Sequence, residues 1–359
     1  MTLKDFYQTY SSDSVSGCAN QLFTTDAQPV KRHGRTYFRL SRGGNMYSLL
    51  FSNHIDSTYH TGYISVCGDA AGDWDILSLR VGLCAARGEE PEVFHTVTFD
   101  KCEQKHVCAG DHTPFFCDPI PLFARGGEYL CYDITVRGAC YPYHEEMVLS
   151  VDVQEEDGDW ITSKKIPVPL MIGSDRPVQH RIAFFGDSIT QGCGTEYDSY
   201  SHWPAKIAEK LDDSYSVWDL GIGFARASDA AKDLGWLARA KQYDTVNICL
   251  GVNDLLNRRT ANELICDLSA ATRSLRRAGC RVILFTVPPF DWTGEQKEHW
   301  HAVNRAIRGP LGDEADAVFD FAAVLGQPAP NEHLAIWGGH PDAAGCAAAA
   351  KAYLDAGLL

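Results

Sequence analysis

Nowhere in the 359 residues is there a run of the ~18 apolar residues that a membrane-crossing helix requires, so no helical span is expected. Basic residues are in the minority, with 32 Lys plus Arg against 47 Asp plus Glu and a formal charge of −15. A field of that sign repels phosphate backbones and anionic bilayers, which argues against a nucleic-acid or membrane partner. Cysteines are plentiful at 13, but the number is odd and no CxxC pair occurs, so neither a complete disulfide framework nor a zinc ribbon is indicated. CEQKHVC, with Cys102, His106 and Cys108, comes nearest to ligand spacing and reads as an exposed turn. The HWH of His299 to His301 lacks a third ligand, so no metal and no cofactor are expected. The opening residues MTLKDFYQTYSSDS show neither the basic start nor the apolar run of a secretion signal, and a cytoplasmic chain with reduced thiols is the expectation. GxSxG, GxxxxGK[ST] and HExxH are all missing. That removes the α/β-hydrolase elbow, the P-loop and the zincin helix.

Apolar residues make up 45% and charged residues 22% of the chain, a balance that folds, and the length suits two domains. The pattern changes near residue 175. Before it come short β-type runs, TYFRL, MYSLLFSN, GYISVCG, WDILSLRVGLC, EVFHTVTFD, EYLCYDITVRG and EMVLSVDVQ, separated by polar turns. Several alternate apolar and polar residues, as half-buried strands do. Residues 1–175 therefore read as an all-β sandwich or jelly-roll domain. From Arg181 the apolar runs RIAFF, SVWDL, TVNICL, RVILFTV and AVFDF alternate with stretches of helix length. Residues 176–359 read as a three-layer α/β/α domain on a five-stranded parallel sheet, flavodoxin-like in plan. Ligands bind such sheets beyond the carboxyl ends of the strands.

Those strand ends carry an ordered set of reactive groups. Gly186-Asp187-Ser188-Ile189-Thr190 places a hydroxyl after the first run, Gly251-Val252-Asn253-Asp254 places an amide after the third, and Gly338-Gly339-His340-Pro341 places an imidazole at the start of the last helix, with Pro341 in its first turn. Each segment taken alone is ordinary turn or cap chemistry. Together they supply a nucleophile, a base and an oxyanion donor on one rim.

GDSIT, the Gly221-Ile222-Gly223 stretch, GVND and HPDAAG stand in the order of the four blocks of the SGNH, or GDSL-type, hydrolases. The resemblance covers about residues 180 to 356. Trp203-Pro204, TVPPF and the upstream FFCDPIPLFARGGEYL further resemble SGNH carbohydrate esterases that carry an N-terminal β-sandwich. The resemblance implies that Ser188 attacks an ester carbonyl while His340 takes its proton. It also implies that the oxyanion is held by the Ser188 N–H, the Asn253 amide and a backbone N–H of the second block. The usual glycine of that block falls on Phe224, one residue after Gly223, which leaves open whether Gly223 or Phe224 donates. Asp187 and Asp254 read as loop-bracing carboxylates.

The family's usual Asp, three residues before the His, is replaced by Trp337. The His340 Nδ1 proton then needs another acceptor. A carbonyl of the Trp337 to Gly339 loop would serve, as in the Ser-His dyads of some carbohydrate esterases of this family; Glu332, Asp291 and Asp342 are secondary choices. Trp337 and Trp292 are candidate walls for a sugar ring, or else loop packing. The expected function is a metal-independent serine esterase removing acyl, above all acetyl, groups from a carbohydrate or small-molecule ester. The alternatives are an impaired SGNH domain that binds carbohydrate, and a lipase or thioesterase, disfavoured by the lack of a long apolar lid segment. The sequence leaves the oligomeric state open.

Overall fold

Antiparallel sheets form the first half of the computed structural model, which describes residues 1–60, 62, 64–326 and 335–359. One sheet joins Ser11–Ser12, Met171–Ser174, Gly43–Phe51, Phe115–Phe116 and Ile120–Arg125. A second is built on Tyr129–Gly138, which pairs with Val30–Arg39 on one side and Trp74–Cys84 on the other, and a third is the short pair Leu22–Phe23 with Pro142–Tyr143. The alternation in YDITVRG has the expected consequence: Tyr132, Ile134 and Val136 are fully buried. Asp133 is buried too, because Arg35, Arg80 and His33 surround its carboxylate and hold its pKa below the usual carboxylate range against the cost of burial.

Three readings of this half need correction. CEQKHVC is not wholly a turn, since Lys105–Val107 within it forms a short strand paired with Trp74 to Ile76. GYISVCG is not a strand in its described residues, Gly62 and Ile64 to Gly68, which form turns. Its polar groups bond elsewhere: the Ser65 hydroxyl donates to the Gln21 carbonyl and the Cys67 thiol lies 3.3 Å from the Asp56 carbonyl, while Ile64 and Val66 stay exposed. A helix was also overlooked at Leu3–Thr9, started by a capping box between Thr2 and Asp5. It buries Phe6 and Tyr7.

The segment after that helix is polar yet buried. Ser11 to Asn20 runs between the β half and the parallel sheet, and its polar groups are satisfied one by one. The Ser12 N–H donates to the Tyr243 hydroxyl at 2.9 Å and its carbonyl accepts from Ser216 Oγ at 2.8 Å. The Asp13 carboxylate accepts from the Tyr47 hydroxyl at 2.8 Å. With Tyr7 against Trp218 and the Trp218 Nε1–H donating to the Leu170 carbonyl, the two halves share one continuous core.

In the second half the strands lie in the order Tyr215–Gly221, His180–Gly186, Thr245–Cys249, Arg281–Phe285, Ala317–Phe319, all parallel. Ile182 to Phe185 and Val282 to Phe285 are buried on both faces, as strands covered by two helical layers must be. Each expected run appears within a residue or two of its predicted bounds. The final helix, Ala343–Asp355, anchors its Tyr353 hydroxyl on Asn247 Oδ1 at 2.7 Å. Gly186 is in register with Gly221 on one side and Cys249 on the other, so the three loops that follow leave from adjoining sheet ends.

Candidate active site

Ser188 opens the short helix Ser188–Gln191, whose cap is Asp187. The Asp187 carboxylate accepts the Ile189 N–H at 3.0 Å. Fully buried, it has its pKa pushed up to about 7 by desolvation, with the Asp254 charge adding to the rise. Gly221 lets this helix sit on the neighbouring strand end, since a Cβ there would overlap the Gln191 backbone nitrogen. Ser188 is 8% exposed. Its Oγ stands 2.8 Å from His340 Nε2, within reach for proton transfer.

His340 arrives by a turn. Gly338 adopts φ +81°, the helix begins only at Ala343, and Asp342 caps it by accepting the Gly345 N–H at 2.9 Å. Pro341 therefore precedes the cap and is not in the first helical turn. The imidazole packs edge-on against Phe290, ring centroids 5.9 Å apart, and burial pushes its pKa below the ordinary 6.5. Among the described residues nothing accepts a hydrogen bond from its Nδ1. The loop carbonyls of Trp337 to Gly339 do not, Asp342 is occupied as a cap, and Asp291 is exposed; Glu332 lies outside the described residues. The residue as a whole is exposed, so water can take that proton.

The candidate donors lie on the other two loops. Asn253, 7% exposed, gives one amide N–H to the Ala225 carbonyl at 3.1 Å, which orients the group and leaves the second N–H. Asp254 braces the same loop by accepting from the Ala227 N–H at 2.8 Å. Its pKa is raised to about 6, chiefly by burial.

Gly223 has to be withdrawn as an oxyanion donor, because its N–H is already donated to Gln191 Oε1 at 2.6 Å. The N–H of Phe224, like that of Ser188, has no acceptor among the described residues. Phe224 adopts φ +62°, a left-handed conformation that suits glycine and costs a bulky residue ~1–2 kcal/mol. Its ring packs on Tyr59 at 4.6 Å and His60 at 6.1 Å between centroids, and such aromatic contacts return ~0.5–1.5 kcal/mol each.

The two tryptophans do not form a pair of walls. Trp292 is 2% exposed and packs on Phe290, ring centroids 5.4 Å apart, so it presents no open face on which a sugar could stack. Trp337 is partly buried, its indole set close against Gly345 of the last helix with Nε1 shielded from solvent.

Residues 184–348 match the GDSL-like lipase/acylhydrolase family. The C-terminal half is a GDSL-type hydrolase domain. Among solved structures this chain is similar to a family two carbohydrate esterase from Clostridium thermocellum in complex with cellohexaose, at 13% identity over 97% of each chain and a TM-score of 0.42. It is also similar to a family 3 carbohydrate esterase from Talaromyces cellulolyticus, at 20% identity, 49% of this chain, 94% of that one and a TM-score of 0.39. The acetyl xylan esterase AlAXEase is 24% identical over 49% of this chain and 98% of its own, with a TM-score of 0.40. No curated protein matches the sequence.

Some residues around the GDSL site were not anticipated. Gln191, His144 and Glu146 are packed beneath or beside the Gly223 loop. Tyr59 reaches Phe224 from the β half. Gln191 had one local signal, a polar residue following GDSIT; the others act across long sequence separations and had none.

Proposed function

We propose that this protein is a serine esterase that hydrolyses acyl esters, above all acetyl esters, through Ser188 and His340 without a carboxylate partner. The observation that carries this is the 2.8 Å contact between Ser188 Oγ and His340 Nε2; the loops that carry Asn253 and Phe224 leave the adjoining ends of the same sheet, which supports reading them as the source of the other donors. Nε2 accepts the Oγ proton as oxygen attacks the carbonyl, and the negative charge that develops meets these donors. The imidazolium then gives its proton to the leaving alkoxide, and water repeats the sequence on the acyl-enzyme. Because the neutral imidazole must present a bare Nε2, its proton resides on Nδ1.

A carbohydrate carrier is the reading of substrate class. It is supported by the sequence resemblance to SGNH carbohydrate esterases with a β domain and by the absence of a long apolar lid segment that a lipid substrate would favour. That no acceptor meets Nδ1 among the described residues is the observation that favours a non-hydrolytic carbohydrate binder instead. Hydrolysis of p-nitrophenyl acetate by the wild type, Ser188→Ala and His340→Ala decides between the two. Activity in the wild type alone supports the esterase; equal rates in all three refute it. Faster turnover of an acetylated oligosaccharide than of p-nitrophenyl palmitate supports the substrate class, and the reverse order contradicts it.

A further inference from the structure

We propose that His144, a residue of the β half, is a positioning residue of the esterase: through Gln191 it fixes the loop that turns the Phe224 N–H toward the oxyanion. The inference rests on the esterase reading and deepens it, making the first half of the chain part of the reaction machinery.

The chain of contacts has a defined polarity. The Ala19 N–H points at His144 Nδ1 at 3.3 Å, so Nδ1 is the acceptor and Nε2 bears the hydrogen. Nε2 lies 3.1 Å from Gln191 Oε1, which also accepts the Gly223 N–H at 2.6 Å. The Gln191 amide nitrogen donates in turn to the Glu146 carbonyl, which fixes which end of the amide is oxygen. The imidazole and the amide are both buried, His144 at 1% exposure and Gln191 at 0%. Burial lowers the His144 pKa to about 4, so the ring stays neutral and keeps this tautomer wherever an esterase with a histidine base would work. Gly17 presses on the same place, since a Cβ there would come 2.9 Å from Gln191 Cγ and 2.8 Å from the Gly221 carbonyl.

This network accounts for an aromatic residue at a glycine-type position. Gln191 captures Gly223 and commits the chain to the turn in which residue 224 has φ +62°. Tyr59 and His60, also from the β half, offset the cost by packing on the Phe224 ring. The N–H left without a partner is that of Phe224, beside the Ser188 helix. None of these supporting side chains needs to touch substrate.

The test compares three replacements of His144 on p-nitrophenyl acetate. His144→Gln can place an N–H where Nε2 stood and still reach Gln191. His144→Asn can accept from Ala19 but is too short to reach Gln191. His144→Phe fills the volume with neither function. The expected result is that Gln keeps kcat within about threefold, while Asn and Phe lose about 10- to 100-fold in kcat with KM little changed, up to the ~10²–10³ that loss of one oxyanion donor costs. Melting curves establish that all three are folded at the assay temperature, and a variant that is not folded is replaced by Gln191→Met, for which the same kcat loss is expected. Wild-type kcat in Phe or in Gln191→Met, or equal losses in Gln and Asn, overturns the inference. A Ser188→Ala enzyme that remains active overturns the esterase reading instead, so the two failures are distinguishable.

Discussion

Replacing Asn253 by alanine separates catalysis from loop bracing in one residue. The side chain has two amide hydrogens. One is held by the Ala225 carbonyl at 3.1 Å, and Ala225 is fully buried. The other is, on the proposed reading, the one that meets the reacting carbonyl oxygen. Losing the second removes an oxyanion donor, which costs ~2.7–4 kcal/mol of transition-state stabilisation, or about 10²–10³ in kcat. Losing the first strips a buried carbonyl of its partner, at ~1–3 kcal/mol of folding stability. The two losses appear in different assays. Saturation kinetics on p-nitrophenyl acetate should show the fall in kcat with KM within a few-fold, because a ground-state carbonyl draws little on the donor. Thermal unfolding should show a melting point lower by several degrees, on a scale of roughly 2–4 °C per kcal/mol for a domain of this size. Unchanged kcat with a lowered melting point would refute the catalytic assignment and leave Asn253 a loop staple.

Phe224→Gly should change stability by less than about 1 kcal/mol, because relief of the left-handed backbone and loss of the aromatic contacts nearly cancel; a gain of 2 kcal/mol or more in chemical denaturation would show that the Tyr59 packing contributes nothing. The base must be neutral to accept a proton, and burial lowers the His340 pKa. Activity should therefore rise with pH through an inflection below the ordinary 6.5 of histidine; an acid limb centred above that value would mean that an unseen carboxylate stabilises the imidazolium. Trp292→Ala should destabilise the fold by ~3–5 kcal/mol with no selective effect on sugar esters, whereas a variant of wild-type stability with altered selectivity would restore Trp292 as a substrate wall. Trp337→Ala should weaken use of acetylated sugars more than of the aryl ester; equal losses would confine it to packing on Gly345.

The parallel sheet was legible because its strands are buried on both faces, so RIAFF, TVNICL and RVILFTV are apolar throughout. The meeting of Ser188 with His340 was legible because the topology itself sends those loops to one end of the sheet; Asn253 rests on the same argument of position alone. In the β half the same rules misread GYISVCG, since alternation says nothing of whether a partner strand exists. The Ser-rich stretch after Thr9 gave no sign of burial, because its hydroxyls and amides are satisfied by residues more than 200 positions away, Ser216 and Tyr243 among them. Spacing narrowed the second-block N–H to Gly223 or Phe224 but could not choose between them: which one keeps a free N–H depends on Gln191 reaching Gly223, with His144, 47 residues from Gln191, on the same amide oxygen. Trp292 was misjudged for a related reason, as a tryptophan in a strand-end loop can face the crevice or the core and only packing decides.

The most direct measurement of the central claim is intact-mass analysis after treatment with diethyl p-nitrophenyl phosphate, a reagent that traps an activated serine. The account predicts one diethylphosphoryl group per chain, located on Ser188 by peptide mapping, absent in Ser188→Ala and formed far more slowly in His340→Ala. No adduct on the wild type, an adduct on another residue, or labelling of Ser188 at an undiminished rate without His340 would contradict it.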